Sequence, residues 1–177
     1  MEEKKSPRSL LEWYDKLSNS YDQLYTEEQA RKHQAVRKVL QGKKFRFLLD
    51  IGCGTGSLLP LVESSSEQII AMDLSSGMIE IARRKVLGDK VSFVRAASPW
   101  LPVKNTVADC IVSISLIENS REITHHITEF KRVAVPEATI VYTVFDMDAD
   151  RLGDNDLEGH PWIDKREHLY VIHKPVK

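Results

Sequence analysis

The chain has 177 residues, of which 42% are hydrophobic and 29% are charged, and its formal net charge is −1. This length fits one globular domain and leaves little room for two. The near-neutral charge provides no global positive field, which argues against unaided binding to nucleic acid or an anionic membrane, although a local basic patch would escape this argument.

Cysteine usage and apolar patterning point to a cytoplasmic protein. Cys53 and Cys110 lack the spacing of metal ligands and are expected to be reduced. Residues 1–11 are charged and contain no apolar core of a secretory signal. No apolar run approaches the roughly 18–20 residues that cross a bilayer. We therefore expect no membrane anchor and no bound metal.

The N-terminal part is predicted to be helical. Residues 1–8 are polar and predict a flexible N-terminus, so that residues 9–177 form the single domain. From Ser9 to Leu40, apolar residues recur at spacings of three and four, which is typical of helices. A polar break near residues 18–20 predicts two helices within residues 9–42.

Strand and helix patterns alternate through the remainder of the chain. Apolar runs predict parallel strands at 45–51, 68–72, 91–94, 108–113 (with alternatives to 115) and 138–145. Periodic segments predict helices at 57–63, from Ser75 or Ser76 to Gly88, and at 122–133. An acidic, loop-like segment at 146–159 and one further strand candidate at 168–173 follow. This alternation predicts an α/β fold with a mostly parallel sheet covered on both faces.

The segment that joins the first two elements of the sheet carries the chemistry. Asp50 ends the first strand and is followed by Gly52, Gly54 and Gly56, which permit a tight turn and a close approach of backbone to a ligand. The following helix start offers unpaired N–H groups for an anionic group, and Asp50 suits an ammonium group. Asp73 closes the second strand, where a carboxylate accepts hydrogen bonds from a ribose diol.

Two other interpretations of this segment remain open. A dinucleotide fingerprint is G-x-G-x-x-G, whereas this chain has G-x-G-x-G with Ser57 at the third glycine position. A nicotinamide or flavin oxidoreductase is therefore the minor alternative. A plain glycine turn that binds no ligand is the other.

Five segments together resemble the class I S-adenosylmethionine-dependent methyltransferases. They are Leu48–Gly56, Ala71–Ser75, Leu101–Val103, Ala108–Cys110 and Glu129–Val133. The similarity is greatest to the small methyltransferase type 11 branch, which resembles ubiquinone and menaquinone biosynthesis enzymes. It implies a Rossmann-like three-layer sandwich with S-adenosyl-L-methionine as the cofactor. That family's sheet ends in two antiparallel strands, and since only one candidate follows Asp146, we expect a sheet abbreviated at its C-terminus.

The resemblance also implies a set of cofactor-binding residues. Asp50 would orient the methionyl ammonium, Asp73 would hold the ribose hydroxyls, and Leu74 would lie on the adenine. Ala97 and Ser98 fall at the adenine edge, Ser113 falls on the methionyl side, and Tyr14 or Tyr21 lies on a helix that covers the cofactor. The complete predicted set is Asp50, Gly52, Cys53, Gly54, Gly56, Asp73, Leu74, Ala97, Ser98, Ser113 and Tyr21.

The sequence indicates less about the catalytic residue and the methyl acceptor than about the cofactor. Methyl transfer needs alignment more than a catalytic side chain, and Glu118 is the only candidate base. The Asn/Asp-Pro-Pro-aromatic motif of enzymes that methylate adenine or glutamine amino groups is absent after the fourth strand.

Three hypotheses follow. The first is an active methyltransferase whose acceptor is RNA, protein or a small metabolite. The second is a non-catalytic, methyltransferase-like subunit that supports a partner, motivated by the short C-terminus and by Ala96, where the family often has an acid. The third is the oxidoreductase. An activating protein partner fits either of the first two.

Overall fold

The computed structural model describes residues 7–86, 88–117, 123–145, 158–164 and 167–175. The helices in these ranges are α1 (Pro7–Leu40), α2 (Leu59–Val62, continued by a 3₁₀ turn at Glu63–Ser65), α3 (Ser76–Lys85) and α4 (Ile123–Val133). The strands are β1 (Phe45–Ile51), β2 (Ser66–Asp73), β3 (Val91–Arg95), β4 (Ala108–Ile117), β5 (Ala134–Phe145), β6 (Glu158–Asp164) and β7 (Glu167–His173). All five predicted parallel strands form, and four of them extend beyond the predicted ends.

The strands form one seven-stranded sheet in the order β3-β2-β1-β4-β5-β7-β6. The pairs β1–β2, β1–β4, β2–β3 and β4–β5 are parallel, and β7 runs antiparallel to both β5 and β6. The order reverses at β1, where the chain steps to β2 on one side and β4 lies on the other. The carboxyl ends of β1, β2 and β4 therefore meet at a topological switch point, the usual place of ligands in such sheets.

Helices cover both faces of the sheet, which confirms the predicted α/β sandwich. On one face, Val36 and Leu40 of α1 pack with Leu48, Val112 and Val141. On the other face, the apolar side of α4 packs against the sheet through Ile123, Phe130 and Val133. None of the described helices has the run of apolar residues that a bilayer-spanning helix requires.

The prediction of two N-terminal helices is wrong, because α1 is one continuous helix. The serines that suggested a break bond to the helix itself instead of interrupting it. Ser18 Oγ donates to Asp15 O at 2.9 Å, and Ser20 Oγ donates to Leu17 O at 3.2 Å. Hydroxyls that bond back to a preceding turn satisfy themselves without ending a helix. Residues 1–6 of the predicted flexible N-terminus lie outside the described residues.

The prediction of an abbreviated sheet is also wrong. β6 and β7 form an antiparallel hairpin that completes the seven strands within residues 158–173. The sequence of β6 includes Gly159 and Pro161, residues that are depleted in strands, so no strand pattern was apparent. Among the strands that the structure describes, β6 pairs with β7 alone, and an edge strand tolerates proline because one side of its backbone needs no partner.

Candidate cofactor site

The two carboxylates predicted to face one ligand lie on neighbouring parallel strands. Asp50 of β1 is paired with Ala71 of β2, and Asp73 lies two residues further along β2. Both therefore lie at the carboxyl edge of the sheet, on the same side of the molecule. Asp50 is buried, with 3% of its surface exposed. Its Oδ2 atom has no hydrogen-bond partner among the described residues.

The charge of Asp50 is poorly solvated. Burial raises the pKa of Asp50 to about 7, and the neighbouring charge of Asp73 adds to this shift. A buried carboxylate oxygen without a partner costs free energy unless a cation or donor approaches it. The site therefore favours a ligand that brings a positive group to Asp50.

The loop after β1 is built from three glycines in the left-handed region. Their φ angles are 77° at Gly52, 52° at Gly54 and 73° at Gly56. The loop is tied to β2, because the backbone N–H groups of Gly52 and Cys53 both donate to Met72 O, at 2.8 and 2.9 Å. A side chain at any of these glycines would be strained, since L-residues rarely adopt such φ angles.

The three glycines differ in what surrounds them. A Cβ on Gly56 would lie 2.8 Å from Ala82 Cβ, so this glycine allows close packing against α3. A Cβ on Gly52 would lie 3.1 Å from Leu116 Cδ1. At Gly54 no described atom lies within 4 Å of that position, so its backbone faces open space. Gly54 is therefore the point where a ligand can approach the loop most closely.

Asp73 joins the glycine loop to the start of α3. Its Oδ2 accepts from Gly54 N and its Oδ1 accepts from Ser75 N, each at 2.8 Å. Burial raises the pKa of Asp73, and these backbone hydrogen bonds oppose that shift. Ser75, one of the two capping serines that the sequence predicted, caps α3 by accepting from Met78 N at 3.1 Å.

The N-terminal half of α1 covers this edge of the sheet. Asp22 Oδ1 accepts from Thr55 Oγ1 in the glycine loop at 2.5 Å, and Asp22 Oδ2 pairs with Lys85. Tyr21 is half-buried, and the nearby charge of Asp73 is among the causes that raise its pKa, after burial. Tyr21 thus lies on α1, and its contact with a cofactor stays a prediction.

The remaining predicted residues lie along the same edge. Leu74 directly follows Asp73 and is 41% exposed. Ala97 and Ser98 follow β3, whose end is held beside Asp73 by the hydrogen bond from Ala96 N to Asp73 O at 3.0 Å. Ser98 Oγ and His126 Nδ1 share a hydrogen bond at 2.7 Å, which ties this loop to α4.

Two predicted residues are buried within or beside the strands. Ser113 of β4 is fully buried, and its hydroxyl finds no hydrogen-bond partner in the described ranges. Cys53 is buried in the glycine loop, and burial raises the pKa of its thiol. Cys53 therefore acts as a small apolar residue there. Glu118, the candidate base, lies outside the described residues, as does the acidic segment over residues 146–157.

The sequence did not predict a polar cluster beside the loop, here called the Ser115 cluster (Lys32, Ser115, Thr143 and Glu167). Lys32 Nζ donates to Ser115 Oγ at 2.7 Å and pairs with Glu167. Ser115 Oγ donates to Glu167 Oε1 at 3.1 Å, and Thr143 Oγ1 also donates to that oxygen. Its members come from α1, β4, β5 and β7, so no local sequence signal could have revealed it.

Comparison with known proteins identifies the family. The profile of the methyltransferase domain family matches residues 49–142, which contain the glycine loop, Asp73 and Ser113. The chain belongs to this methyltransferase family. Membership implies S-adenosylmethionine as the cofactor. The Asp50 oxygen that lacks a partner among the described residues fits the ammonium group of this cofactor, and the open approach to Gly54 fits its main chain.

Individual relatives cover most of this chain. An uncharacterized protein of Methanocaldococcus jannaschii is 31% identical over 137 residues, which cover 76% of this chain and 51% of that protein. Demethylmenaquinone methyltransferase of Clavibacter sepedonicus is 29% identical over 147 residues, covering 80% of this chain and 60% of that enzyme. The chain thus spans only about half the length of these curated relatives.

Solved structures share the fold. A chain from the complex between the Haloferax volcanii Trm112 methyltransferase activator and a proposed methyltransferase has a TM-score of 0.75 at 14% identity, covering 92% of this chain and 98% of that chain. A proposed S-adenosylmethionine-dependent methyltransferase of Methanococcus maripaludis has a TM-score of 0.68 at 17% identity, covering 100% and 98% of the two chains.

Proposed function

We propose that this chain is an S-adenosylmethionine-dependent methyltransferase that holds its cofactor along the carboxyl ends of β1, β2 and β4. The observation that carries the proposal is a buried carboxylate oxygen of Asp50 that no other described residue satisfies, beside a glycine loop that is open at Gly54. Both features fit one ligand that carries an ammonium group and lies against the loop. A dinucleotide brings a pyrophosphate to such a loop rather than an ammonium group, so Asp50 favours the methyltransferase over the oxidoreductase.

Each side chain has a defined task in this proposal. Asp50 binds the ammonium of the methionyl part, and the glycine loop passes beneath the main chain of that part. Asp73 accepts from the ribose hydroxyls, because its carboxylate lies at the tip of β2. Leu74, Ala97 and Ser98 enclose the adenine. The cofactor supplies a methyl group already activated on a sulfonium.

Once the cofactor is bound, the protein's main contribution is orientation. Ser113 borders the methionyl part of the cofactor, and Tyr21 lies on the covering helix. Both side chains restrict how the cofactor lies. Aligning an acceptor with an activated methyl group contributes up to about 7–11 kcal/mol in favourable cases. A dedicated base is needed only where the acceptor must lose a proton.

Calorimetric titration tests cofactor binding. We expect S-adenosylmethionine and S-adenosylhomocysteine to bind in the micromolar range, and Asp73→Ala to abolish binding because the ribose loses its acceptor. Asp109→Ala is the matched control, because Asp109 accepts from Arg46 N and Phe47 N at the opposite end of β1. Absence of binding at millimolar ligand would refute the proposal.

A tritiated-methyl transfer assay on cell extract, fractionated into RNA, protein and small molecules, identifies the acceptor. We propose that activity depends on a protein partner, since a chain of similar fold was solved in a complex with a methyltransferase activator. Both cysteines are free and buried, in keeping with the cytoplasm as the proposed location. Labelled product in one fraction only, in the presence of co-purifying protein, is the expected result. The absence of labelled product in all fractions, despite cofactor binding, favours the non-catalytic subunit.

A further inference from the structure

We propose that Lys32 is a positioning residue: through the Ser115 cluster it holds the carboxyl end of β4 against the glycine loop and thereby sets cofactor affinity. This inference rests on the proposed function, because it concerns the same cofactor site. Lys32 is not assigned a contact with the cofactor. Its effect passes through Ser115 and Leu116 to Gly52.

The first step is the burial of the ion pair. The side chain of Lys32 is 0% exposed and that of Glu167 is 1% exposed. Charges this deeply buried are tolerated only when they are paired and hydrogen-bonded, and removal of one partner strands the other. Lys32 also pairs with Glu28, but the Glu28 side chain is 34% exposed, so Glu167 is the carboxylate that depends on Lys32. The buried pair joins α1 to β7.

The second step is the hydrogen-bond network around Ser115. Its hydroxyl accepts from Lys32 Nζ and donates to Glu167 Oε1, while its backbone N–H donates to Thr143 Oγ1 at 2.7 Å. Gln29 Nε2 also reaches Ser115 Oγ, at 3.4 Å. The hydroxyl and the backbone N–H of Ser115 therefore both have partners, and these partners come from α1, β5 and β7.

The third step is the backbone of Ser115. Its φ angle is 58°, a left-handed conformation that residues other than glycine rarely adopt. Such a conformation persists where the surrounding contacts over-determine it. Here the register of the β4–β5 pairing shifts between Ser113 and Ile117, so the strand ladder alone does not fix this segment. The Ser115 cluster supplies the missing constraint.

The fourth step connects this backbone to the cofactor site. Leu116 follows Ser115, and its Cδ1 atom lies 3.1 Å from the position that a Cβ on Gly52 would take. Leu116 therefore rests directly on the glycine loop. On the other side, α1 reaches the same loop through Asp22 and Thr55. Lys32 thus couples the covering helix, the end of β4 and the glycine loop.

The loss of Lys32 has a defined consequence. Glu167 becomes a buried charge without its cation, and Ser115 loses a donor. The left-handed backbone then relaxes, and Leu116 withdraws from Gly52. The glycine loop becomes less ordered, so the cofactor binds more weakly even where the fold persists.

The test uses the full chain and four variants. Lys32→Met removes the charge and keeps an unbranched side chain. Lys32→Met/Glu167→Gln removes both charges. Lys32→Met/Ser115→Gly supplies a residue that adopts a positive φ without strain. Asp109→Ala is the control, because Asp109 accepts from Arg46 N and Phe47 N at the end of β1 opposite the glycine loop.

Three measurements are made on each variant. They are the dissociation constant of S-adenosylhomocysteine by calorimetry, the thermal midpoint, and the hydrogen exchange rate of the amides at residues 52–56 without ligand. We expect Lys32→Met to weaken binding by about ten- to a hundred-fold, as small misplacements of a site do. Exchange in the glycine loop should accelerate as well. The Asp109→Ala variant should lower the midpoint without either effect.

The double variants separate positioning from stability. Lys32→Met/Glu167→Gln should recover the thermal midpoint, because the only carboxylate left without its cation is Glu28, which is 34% exposed to water, yet should still bind weakly. Lys32→Met/Ser115→Gly should regain affinity relative to Lys32→Met. Affinity and exchange in Lys32→Met that match those of the control, or a failure of Ser115→Gly to restore either one, would overturn the inference.

Failure of the proposed function gives a different pattern. If the unmodified chain does not bind the cofactor, the exchange rates at residues 52–56 decide the inference alone, and unchanged rates in Lys32→Met overturn it. If Lys32→Met does not fold, the doubly neutral variant provides the same measurements with no buried charge stranded.

Discussion

The glycines of the loop have different structural roles. Gly56 allows the loop to pack on α3, since its Cβ position is already occupied at 2.8 Å by Ala82. Gly54 has no neighbour in that direction among the described atoms, and its backbone faces the proposed ligand. A side chain at Gly56 therefore disturbs the fold, whereas one at Gly54 disturbs the ligand.

Alanine substitutions separate these two tasks. Gly56→Ala combines a left-handed backbone with overpacking and should lower the free energy of unfolding by roughly 2–4 kcal/mol. Gly54→Ala carries the backbone strain alone, about 1–2 kcal/mol, but should reduce S-adenosylhomocysteine affinity more than Gly56→Ala does. Urea denaturation and calorimetry measure the two quantities. Equal stability losses with unchanged affinity in Gly54→Ala would contradict this division.

The sequence predicted the residues of this loop because they are contiguous. Asp50, the glycines and Asp73 stand at strand ends, and parallel strands bring their carboxyl ends to one edge, so spacing alone implies proximity. The Ser115 cluster has no such signal. Lys32 and Glu167 lie near opposite ends of the chain. In the sequence each resembles an ordinary surface charge, and only the folded sheet brings the two together.

At the scale of elements, α1 determines how the site is closed. Its C-terminal half packs on the sheet through Val36 and Leu40, and its N-terminal half reaches α3 through Asp15. Asp15 Oδ1 accepts from Ser75 Oγ at 2.5 Å and from Gly77 N at 3.1 Å. The hydrogen bond from Ser75 lowers the pKa of Asp15, so this anchor is ionised at neutral pH.

Removal of the anchor should release only one half of the helix. Asp15→Ala should accelerate hydrogen exchange in residues 9–25 and cost about 1 kcal/mol, the usual loss for a helix-capping acceptor. Exchange around Val36 should not change, because that half is held by the core. Asp15→Asn is the control, since its amide oxygen still accepts from Gly77 N. Hydrogen exchange that accelerates uniformly along α1, or does not accelerate at all, would contradict the role of Asp15 as an anchor.

The two errors in the predicted elements have different physical causes, one local and one tertiary. Periodicity predicts where a helix or buried strand forms, but it is silent where tertiary pairing overrides local preference. Serines within α1 bonded to their own helix, so the polar break near residue 18 was misleading. β6 forms at the sheet edge by pairing with β7 despite its glycine and proline.

Two buried groups make the stability of the protein depend on pH in opposite directions. The pKa of Asp50 is raised from 3.8 to about 7 by burial and by Asp73. The folded state therefore binds a proton there that the unfolded state has released, and stability falls as the pH rises from 3.8 to 7. The pKa of His33 is lowered from 6.5 to about 4, by burial first and then by the charges of Lys32 and Lys85.

His33 consequently acts in the reverse sense. Between about pH 4 and 6.5 the unfolded state holds a proton on His33 that the folded state excludes, so stability rises with pH. Each group contributes roughly 2–4 kcal/mol across its window. The two contributions largely cancel in the native protein, and its stability should change little between these pH values on their account.

Substitution of one group at a time should reveal the pH dependence of stability that the two groups cancel in the native protein. Asp50→Asn leaves the His33 contribution, so this variant should be more stable at about pH 7 than at about pH 4.5. His33→Gln leaves the Asp50 contribution and should be more stable at the lower pH. Urea denaturation without ligand at both pH values measures the difference, and Asp50→Asn/His33→Gln should return to the shallow native profile. If both single variants kept that profile, neither group would be held in its neutral form by the fold. The unpartnered oxygen of Asp50 would then carry an ordinary solvated charge, and the site would lose its preference for a cation.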